Sequence, residues 1–296
     1  MHPANDPAAP SAGPEWVLTL SCPDRPGIVH AVSGVIAGLG GNITESQQFG
    51  SPVTGRFYMR VQVALPGAPD DGAAALRDAL GPVVAEFDLV WGLDRVGRAV
   101  PTVIMVSKEA HCLNDLLFRQ RAGDLPLDVV AVVGNHPDLA ELTTFYGVPF
   151  HHVPVTRDTK PEAEAELLRI VAGTGAELVV LARYMQILSD ELCARLAGHV
   201  INIHHSFLPS FKGARPYHQA FERGVKLIGA TSHYVTGDLD EGPIIEQEVE
   251  RVDHTRNPAE LVALGQDVER RTLARAVRWH AEHRVLLDGL RTVVFR

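Results

Sequence analysis

The segment with the most chemical promise is Asn202-Ile203-His204, inside the apolar run VINIH (200–204) that reads as a strand. Side chains alternate across a strand, so Asn202 and His204 share one face and Ile203 points the other way. An amide and an imidazole two residues apart could converge on one carbonyl oxygen. The amide NH₂ would donate to a developing oxyanion, and the ring would exchange a proton. The plainer alternative is a strand end whose Asn and His cap loops. A second segment, TSHYVTGDLDEGPII (231–245), puts His233 in a strand and Asp238 and Asp240 in a glycine-flanked loop. A carboxylate beside an imidazole fixes its tautomer and raises its pKa. The alternative is that both aspartates make only turn hydrogen bonds.

The elements around these residues fall into two rhythms. In the first 100 residues the order is strand (16–22), helix (28–39), strands (42–50 and 56–65), helix (73–87) and strand (88–94). That βαββαβ order is the ferredoxin-like unit. The turn Pro23-Asp24-Arg25-Pro26-Gly27 precedes the first helix, and Gly40-Gly41 ends it with a left-handed cap. After a linker at 95–101, strand and helix alternate. Strands are predicted at 102–107, 128–134, 150–155, 178–184 and 200–204, with helices at 112–122, 137–146, 161–172 and 189–198. Apolar strands separated by helices form a parallel sheet covered on both faces. Two more strands (226–235 and 243–252) and a long amphipathic helix (257–283) follow. The fold class is therefore α/β, a ferredoxin-like domain followed by a doubly wound, mostly parallel sheet. In such sheets ligands bind outside the carboxyl ends of the strands, where 200–204 delivers its Asn and His.

Asn202-x-His204, then SFLPSFKG (206–213), then His233 followed by Asp240 in LDEGPII, resembles the formyltetrahydrofolate-dependent formyltransferase fold, and within it the formyltetrahydrofolate deformylase family. The start of that family's N-terminal ACT domain is matched by Asp24-Arg25-Pro26-Gly27, and its longest run by HHSFLPSFKGARPYHQAFERGVKLIGATSHYV (204–235). The resemblance covers about 16–285. It implies a regulatory ACT domain at 15–96, a catalytic domain at 101–284 and a C-terminal extension at 285–296. It implies Asn202, His204 and Asp240 as catalytic residues, His233 in support and Asp238 as a loop residue. Whether His204 or Asp240 is the base, and what protonates the leaving N10, stays open.

The stretch ARYMQILS (182–189) resembles the family's folate pocket, with Arg183, Met185, Gln186, Ile187 and Leu188 as lining residues. On pattern alone the same stretch reads as a helix start with core Met, Ile and Leu. The implied reaction is hydrolysis of 10-formyltetrahydrofolate to tetrahydrofolate and formate, which supplies formate, for example to purine synthesis, and balances one-carbon pools. The implied partners are the folate substrate, water and an amino-acid effector, glycine or methionine, at Asp24, Gly27 and Asn42. A homo-oligomer is expected, since ACT units commonly pair through their sheets. One alternative is formyl transfer to an amine such as glycinamide ribonucleotide. Transferases of this fold cradle that acceptor's phosphate in a Gly/Ser-rich loop. The corresponding loop here, Ser107-Lys108-Glu109-Ala110-His111-Cys112, has no glycine and carries an acid. His205-Ser206 and Arg215-Pro216-Tyr217-His218 are expected to wall off that side. A second alternative is an amino-acid-sensing regulatory protein that binds folate without catalysis.

Composition agrees with an enzyme of this kind. At 296 residues and 46% hydrophobic the chain has material for two cores. Its Lys+Arg count is 27 against 36 Asp+Glu, a net −9 that argues against nucleic acid or an anionic membrane as partner. No apolar run approaches the roughly 18 residues of a transmembrane helix, and no secretory signal opens the chain. Residues 1–14 read as a disordered leader. Three scattered cysteines, Cys22, Cys112 and Cys193, point to reduced thiols and a cytoplasmic protein. No cofactor and no metal are expected. The His204-His205 and His151-His152 pairs diverge, and no ligand motif with metal spacing appears. His151 and His152 are expected to end the third strand of the large sheet.

Overall fold

The computed structural model describes residues 14–65, 72–208 and 216–296. Most of the leader and residues 209–215 of the long motif lie outside the described residues. The chain divides between Arg98 and Ala99 into two compact units.

The first unit is the predicted βαββαβ: β1 (Glu15–Pro23), α1 (Ile28–Gly38), β2 (Asn42–Ser51), β3 (Arg56–Ala64), α2 (Gly72–Phe87) and β4 (Val90–Arg95). The sheet runs β2-β3-β1-β4, antiparallel throughout. Leu18, Leu20 and Cys22 of β1 and Phe57, Met59, Val61 and Val63 of β3 join Val32 and Ile36 of α1 and Leu76 and Leu80 of α2 in one core. Gly27, at φ 101, is the N-cap of α1. Gly40, at φ 70, ends the helix as anticipated.

The second unit contains β5 (Val100–Val106), α3 (His111–Arg121), β6 (Leu127–Gly134), α4 (Ala140–Tyr146), β7 (Phe150–His152), α5 (Lys160–Thr174) and β8 (Leu178–Leu181). It continues through α6 (Asp190–Arg195), β9 (Val200–His204), α7 (Pro216–Glu222), β10 (Leu227–Tyr234), β11 (Ile244–Arg251), α8 (Pro258–Ala281), β12 (Val285–Asp288) and β13 (Arg291–Val294). The large sheet is ordered β11-β10-β9-β8-β5-β6-β7. Strands β5 to β9 are parallel, and β10 and β11 add antiparallel pairs at one edge. β5 alternates between two cores: Ile104 and Val106 face α3 and α8, and Val103 and Met105 face α5 and α6. The chain order reverses between β5 and β8, so the crevice lies at the carboxyl ends of those strands.

Several predicted boundaries change. The linker shrinks because Val100 and Pro101 already belong to β5. β8 stops at Leu181, not 184, because Arg183 turns to a left-handed φ of 64. The helix after it starts at Asp190 behind the Ser189 N-cap, whose Oγ accepts from the Leu192 N–H. β7 is confined to Phe150–His152 and does end in the histidine pair. The short helix α7 went unpredicted, as did the β12–β13 hairpin, which turns at Gly289 with φ 64. α8 begins in a capping box: the Glu260 N–H donates to Asn257 Oδ1, and the Asn257 N–H donates to Glu260 Oε2. No helix among the described residues is long and apolar enough to cross a membrane.

Candidate active site

Asn202 and His204 end β9 on the rim of a cavity of about 240 Å³. The antiparallel neighbour β10 sets His233 directly opposite Asn202, and on its other side β10 bulges against β11 between Ser232 and His233. His233 Nδ1 lies 2.9 Å from the Tyr234 carbonyl oxygen, which can only accept. The ring proton therefore sits on Nδ1, and Nε2 is left to accept from Asn202 Nδ2 at 3.2 Å. This fixes the Asn202 amide: one N–H is spent on His233 and the other is free.

Asp240 arrives from the loop between β10 and β11. It is in a left-handed conformation, φ 58, which aspartate tolerates better than most residues. Two positions on, a Cβ at Gly242 would fall on the Tyr234 carbonyl oxygen, so only glycine lets the loop close here. Asp240 Oδ1 is 3.2 Å from His204 Nδ1 and 3.8 Å from His233 Nε2. Burial pushes the Asp240 carboxyl up, but the His204 hydrogen bond, with the His233 imidazole beside it, outweighs burial and holds it well below the usual carboxylate range. His204 Nε2 is buried and has no hydrogen-bond partner among the described residues. Its ring stacks on His205, centroids 4.9 Å apart. The imidazole thus donates to Asp240 through Nδ1 and offers a bare Nε2.

The structure brings all five anticipated pocket residues to this cavity: Arg183, Met185, Gln186, Ile187 and Leu188 line it together with Asn202, His204, His233 and Asp240. Residues 182–189 form a loop, not the start of a helix. Met185 and Ile187 are 56% and 59% exposed, so they form an open apolar wall and not a core. The loop is pinned beyond its first residue by two side chains that sequence reasoning missed. The Met185 N–H donates to Ser107 Oγ at 2.9 Å, and the Ser189 N–H donates to Glu164 Oε1 at 2.8 Å. Tyr184 and residues 235–239 also line the cavity. Their best sequence signal was adjacency to residues already singled out. Asp238 lines the cavity, but the hydrogen-bonded carboxylate is that of Asp240.

The three anticipated effector residues are not brought together within the chain. Asp24 and Gly27 follow the end of β1 that pairs with Arg56, whereas Asn42 opens β2 opposite Ala64, at the far end of the sheet. The Asp24 N–H donates to the Gly55 carbonyl, tying that turn to the β2–β3 loop.

Residues 101–277 match the formyl transferase family and residues 16–79 the ACT domain family. A formyltetrahydrofolate deformylase of Corynebacterium sp. is 57% identical over 280 residues, covering 95% of this chain and 98% of its own. The crystal structure of a formyltetrahydrofolate deformylase from Burkholderia mallei superposes with a TM-score of 0.91 at 53% identity, over 96% of this chain and all of that one. A glycinamide ribonucleotide transformylase from Symbiobacterium toebii is more distant, with a TM-score of 0.63 and 29% identity over 69% of this chain and 98% of its own. The chain belongs to the formyltetrahydrofolate deformylase family.

Proposed function

We propose that Asn202, His204 and Asp240 carry the hydrolysis of 10-formyltetrahydrofolate by water to tetrahydrofolate and formate. The observation that supports the assignment is that His204 and Asn202 line one cavity, and that His204 Nε2 has no hydrogen-bond partner among the described residues.

The folate ring lies against the 183–188 wall, and the formyl group reaches the ends of β9 and β10. His204 Nε2 takes a proton from water as the water oxygen bonds to the formyl carbon. The carbonyl π electrons move to oxygen, and the free Asn202 N–H donates to that oxyanion. Asp240 accepts from Nδ1 throughout and stabilises the imidazolium that forms. The intermediate then collapses: the C–N10 bond breaks, N10 receives the proton from Nε2, and formic acid leaves and ionises in solvent. His233 positions Asn202 by fixing which face of the amide is NH₂. No metal or cofactor enters these steps.

The loop after β5 supports water over an amine as acceptor. It has no glycine, and Glu109 on it is half-exposed. Purified protein given 10-formyltetrahydrofolate and no amine should release formate, and added glycinamide ribonucleotide should leave the rate unchanged. Formylated ribonucleotide appearing as fast as formate would overturn the hydrolase reading in favour of transfer. No formate at all would favour a binding module.

In the same reading, residues 15–96 regulate and 101–284 catalyse, in a cytoplasmic homo-oligomer. Glycine or methionine would bind by the Asp24–Gly27 turn, with Asn42 supplied from elsewhere in the oligomer. The effector response should disappear in Asp24→Ala while basal formate release persists.

A further inference from the structure

A second buried polar cluster lies beside the cavity and takes no part in the chemistry above. Its centre is Glu269, in the middle of α8, with a side chain 1% exposed. Tyr217 Oη donates to Glu269 Oε1 at 2.6 Å, and His111 Nε2 lies 2.7 Å from Oε2. Arg183 Nε lies 3.4 Å from the same Oε2. Burial pushes the Glu269 carboxyl up, and the His111 hydrogen bond, the Arg183 charge and the Tyr217 hydroxyl together bring it below its ordinary value, so it stays an anion. α8 makes room for this. A Cβ at Gly265, one turn before Glu269, would fall inside the Tyr217 ring. A mid-helix glycine is otherwise unfavourable.

The three partners come from three different segments at the ligand end of the sheet. His111 opens α3 after β5, Arg183 follows β8, and Tyr217 belongs to α7 after β9. Of the three, only Arg183 lines the cavity. It is also the residue whose backbone is left-handed, at φ 64, a conformation a non-glycine residue holds only when its surroundings impose it. Its Nε and Nη1 are buried without a hydrogen-bond partner among the described residues, and the Glu269 carboxylate is the anion that faces Nε.

We propose that Glu269 is a positioning residue for folate binding: through Arg183 it holds the first residue of the 183–188 loop in its left-handed turn, and so sets the cavity wall against which the folate ring lies. This rests on the reading of that loop as the folate wall. The backbone before the turn is tied by the Ala182 N–H, which donates to the Met105 carbonyl, and the other two side-chain pins, Ser107 and Glu164, act on Met185 and Ser189; of the side chains, Glu269 is the one that faces Arg183. The proposed chemical groups stand on β9 and the β10–β11 loop, and none of them is hydrogen-bonded to Glu269. Loss of the Glu269 anchor should therefore weaken substrate binding and spare turnover.

The test is steady-state formate release by the full chain, with thermal melts alongside, for Glu269→Gln, Tyr217→Phe and Ile187→Asp. Glu269→Gln keeps the shape and removes the charge that holds Arg183. It should raise KM about tenfold with kcat within twofold, the signature of lost binding common to ground and transition states. Tyr217→Phe keeps the ring in its Gly265 cradle and removes one donor. It should raise KM about threefold, and it decides the matter alone if Glu269→Gln does not fold. Ile187→Asp probes the wall directly and should raise KM. If both cluster variants leave KM within twofold while Ile187→Asp raises it, the proposal fails and the folate wall stands. If Ile187→Asp also leaves KM unchanged, both fail. A fall in kcat at constant KM would show that Glu269 only supports the fold.

Discussion

Asp240, partly buried, and Glu269, fully buried, are both carboxylates held below their ordinary pKa with imidazole neighbours, yet they sit in opposite kinds of surroundings. Asp240 stands on a loop in a left-handed turn, and its partner His204 lines a cavity and has an Nε2 without a hydrogen-bond partner among the described residues. Glu269 stands in the middle of a 24-residue helix with both oxygens occupied, against a phenol, an imidazole and a guanidinium. A carboxylate–imidazole pair is therefore not in itself a mark of catalysis. What sets the first cluster apart is an unused imidazole valence on residues that line a cavity a substrate can enter.

The sharpest way to break this contrast is to remove each carboxylate and ask what is lost. Asn202→Ala should cost about 10²–10³ in kcat, the usual loss for one oxyanion donor. His204→Ala and Asp240→Ala should each cost at least about 10²-fold. The His204→Ala/Asp240→Ala double variant should lose far less than the product of the single losses, because the two act as one unit. Initial rates of formate release on folded protein measure this. Wild-type turnover in any of the single variants would remove that residue from the mechanism.

Glu269→Ala should show the reverse pattern. It strands Arg183 as a buried charge and leaves the Tyr217 hydroxyl without an acceptor. Breaking a buried pair in this way costs about 3–5 kcal/mol, enough to unfold a large fraction of a typical domain at modest temperature. Urea denaturation should give a much larger loss for Glu269→Ala than for Asp240→Ala, which is partly open to water. Equal losses would mean that the two clusters do the same work.

A third imidazole sharpens the comparison through pH. His280 Nδ1 lies 2.7 Å from the Tyr234 hydroxyl, so it is paired with a phenol where His204 is paired with a carboxylate. Burial, reinforced by the charges of His283 and His199, pushes its pKa down to about 4. The folded state thus keeps His280 neutral while the unfolded chain, with a pKa near 6.5, takes up a proton. The stability this contributes is fully present above about pH 6.5 and falls as pH drops toward about 4, by about 3 kcal/mol in all. His280→Gln, which keeps an acceptor for the Tyr234 hydroxyl, should flatten the fall of melting temperature across that window. Asp240 behaves differently: its depressed carboxyl contributes stability above the unfolded aspartate value, near pH 4, and loses it only in stronger acid. Calorimetric scans from pH 4 to 7 on the two proteins check this, and an unchanged acid slope in His280→Gln would place the loss elsewhere.

The period-2 logic that placed Asn202 and His204 on one face needed only a strand, and β9 is one. His233 opposite Asn202 could not be read from the sequence, because the register between β9 and β10 joins strands about 30 residues apart and is set by tertiary pairing. Asp238 and Asp240 were equally placed by composition, and only the resemblance preferred Asp240. What separates them is the left-handed turn at Asp240 and the close approach of Gly242 to Tyr234, which no local pattern encodes. The 182–189 loop shows tertiary structure overriding propensity. Its residues suit a helix, but Ser107 and Glu164, which are 78 and 25 residues distant from their partners in it, take the backbone donors and hold it open. Glu269 was invisible for the same reason: on a helix of this composition it resembles any other charged position, until Gly265 and Tyr217 are seen to make a place for it.

The smallest expected effect is none at all, and it tests what the second cluster is. Among the described residues, His111, Cys112 and Glu269 set three potential ligand atoms within 4.8 Å of one another, which by spacing alone could hold a metal ion. The chemistry of the donors argues otherwise. A metal ligand must be deprotonated and have a lone pair to give. Burial, with the Glu269 charge adding to it, pushes the Cys112 thiol well above its ordinary value, so it stays protonated. Both oxygens of Glu269 already accept hydrogen bonds, and Arg183 brings a fixed positive charge to 3.4 Å from one of them. A cation would have to displace the guanidinium, and with it the anchor of the 183–188 loop. Dialysis of the protein against a strong chelator should therefore leave formate release and melting temperature where they were, and added zinc should raise neither. If chelation lowers the melting temperature and zinc restores it, the cluster is a metal site and its likeness to Asp240 ends there. If chelation abolishes formate release without unfolding the chain, an ion belongs in the cavity itself, and the proton path through His204 Nε2 must be redrawn.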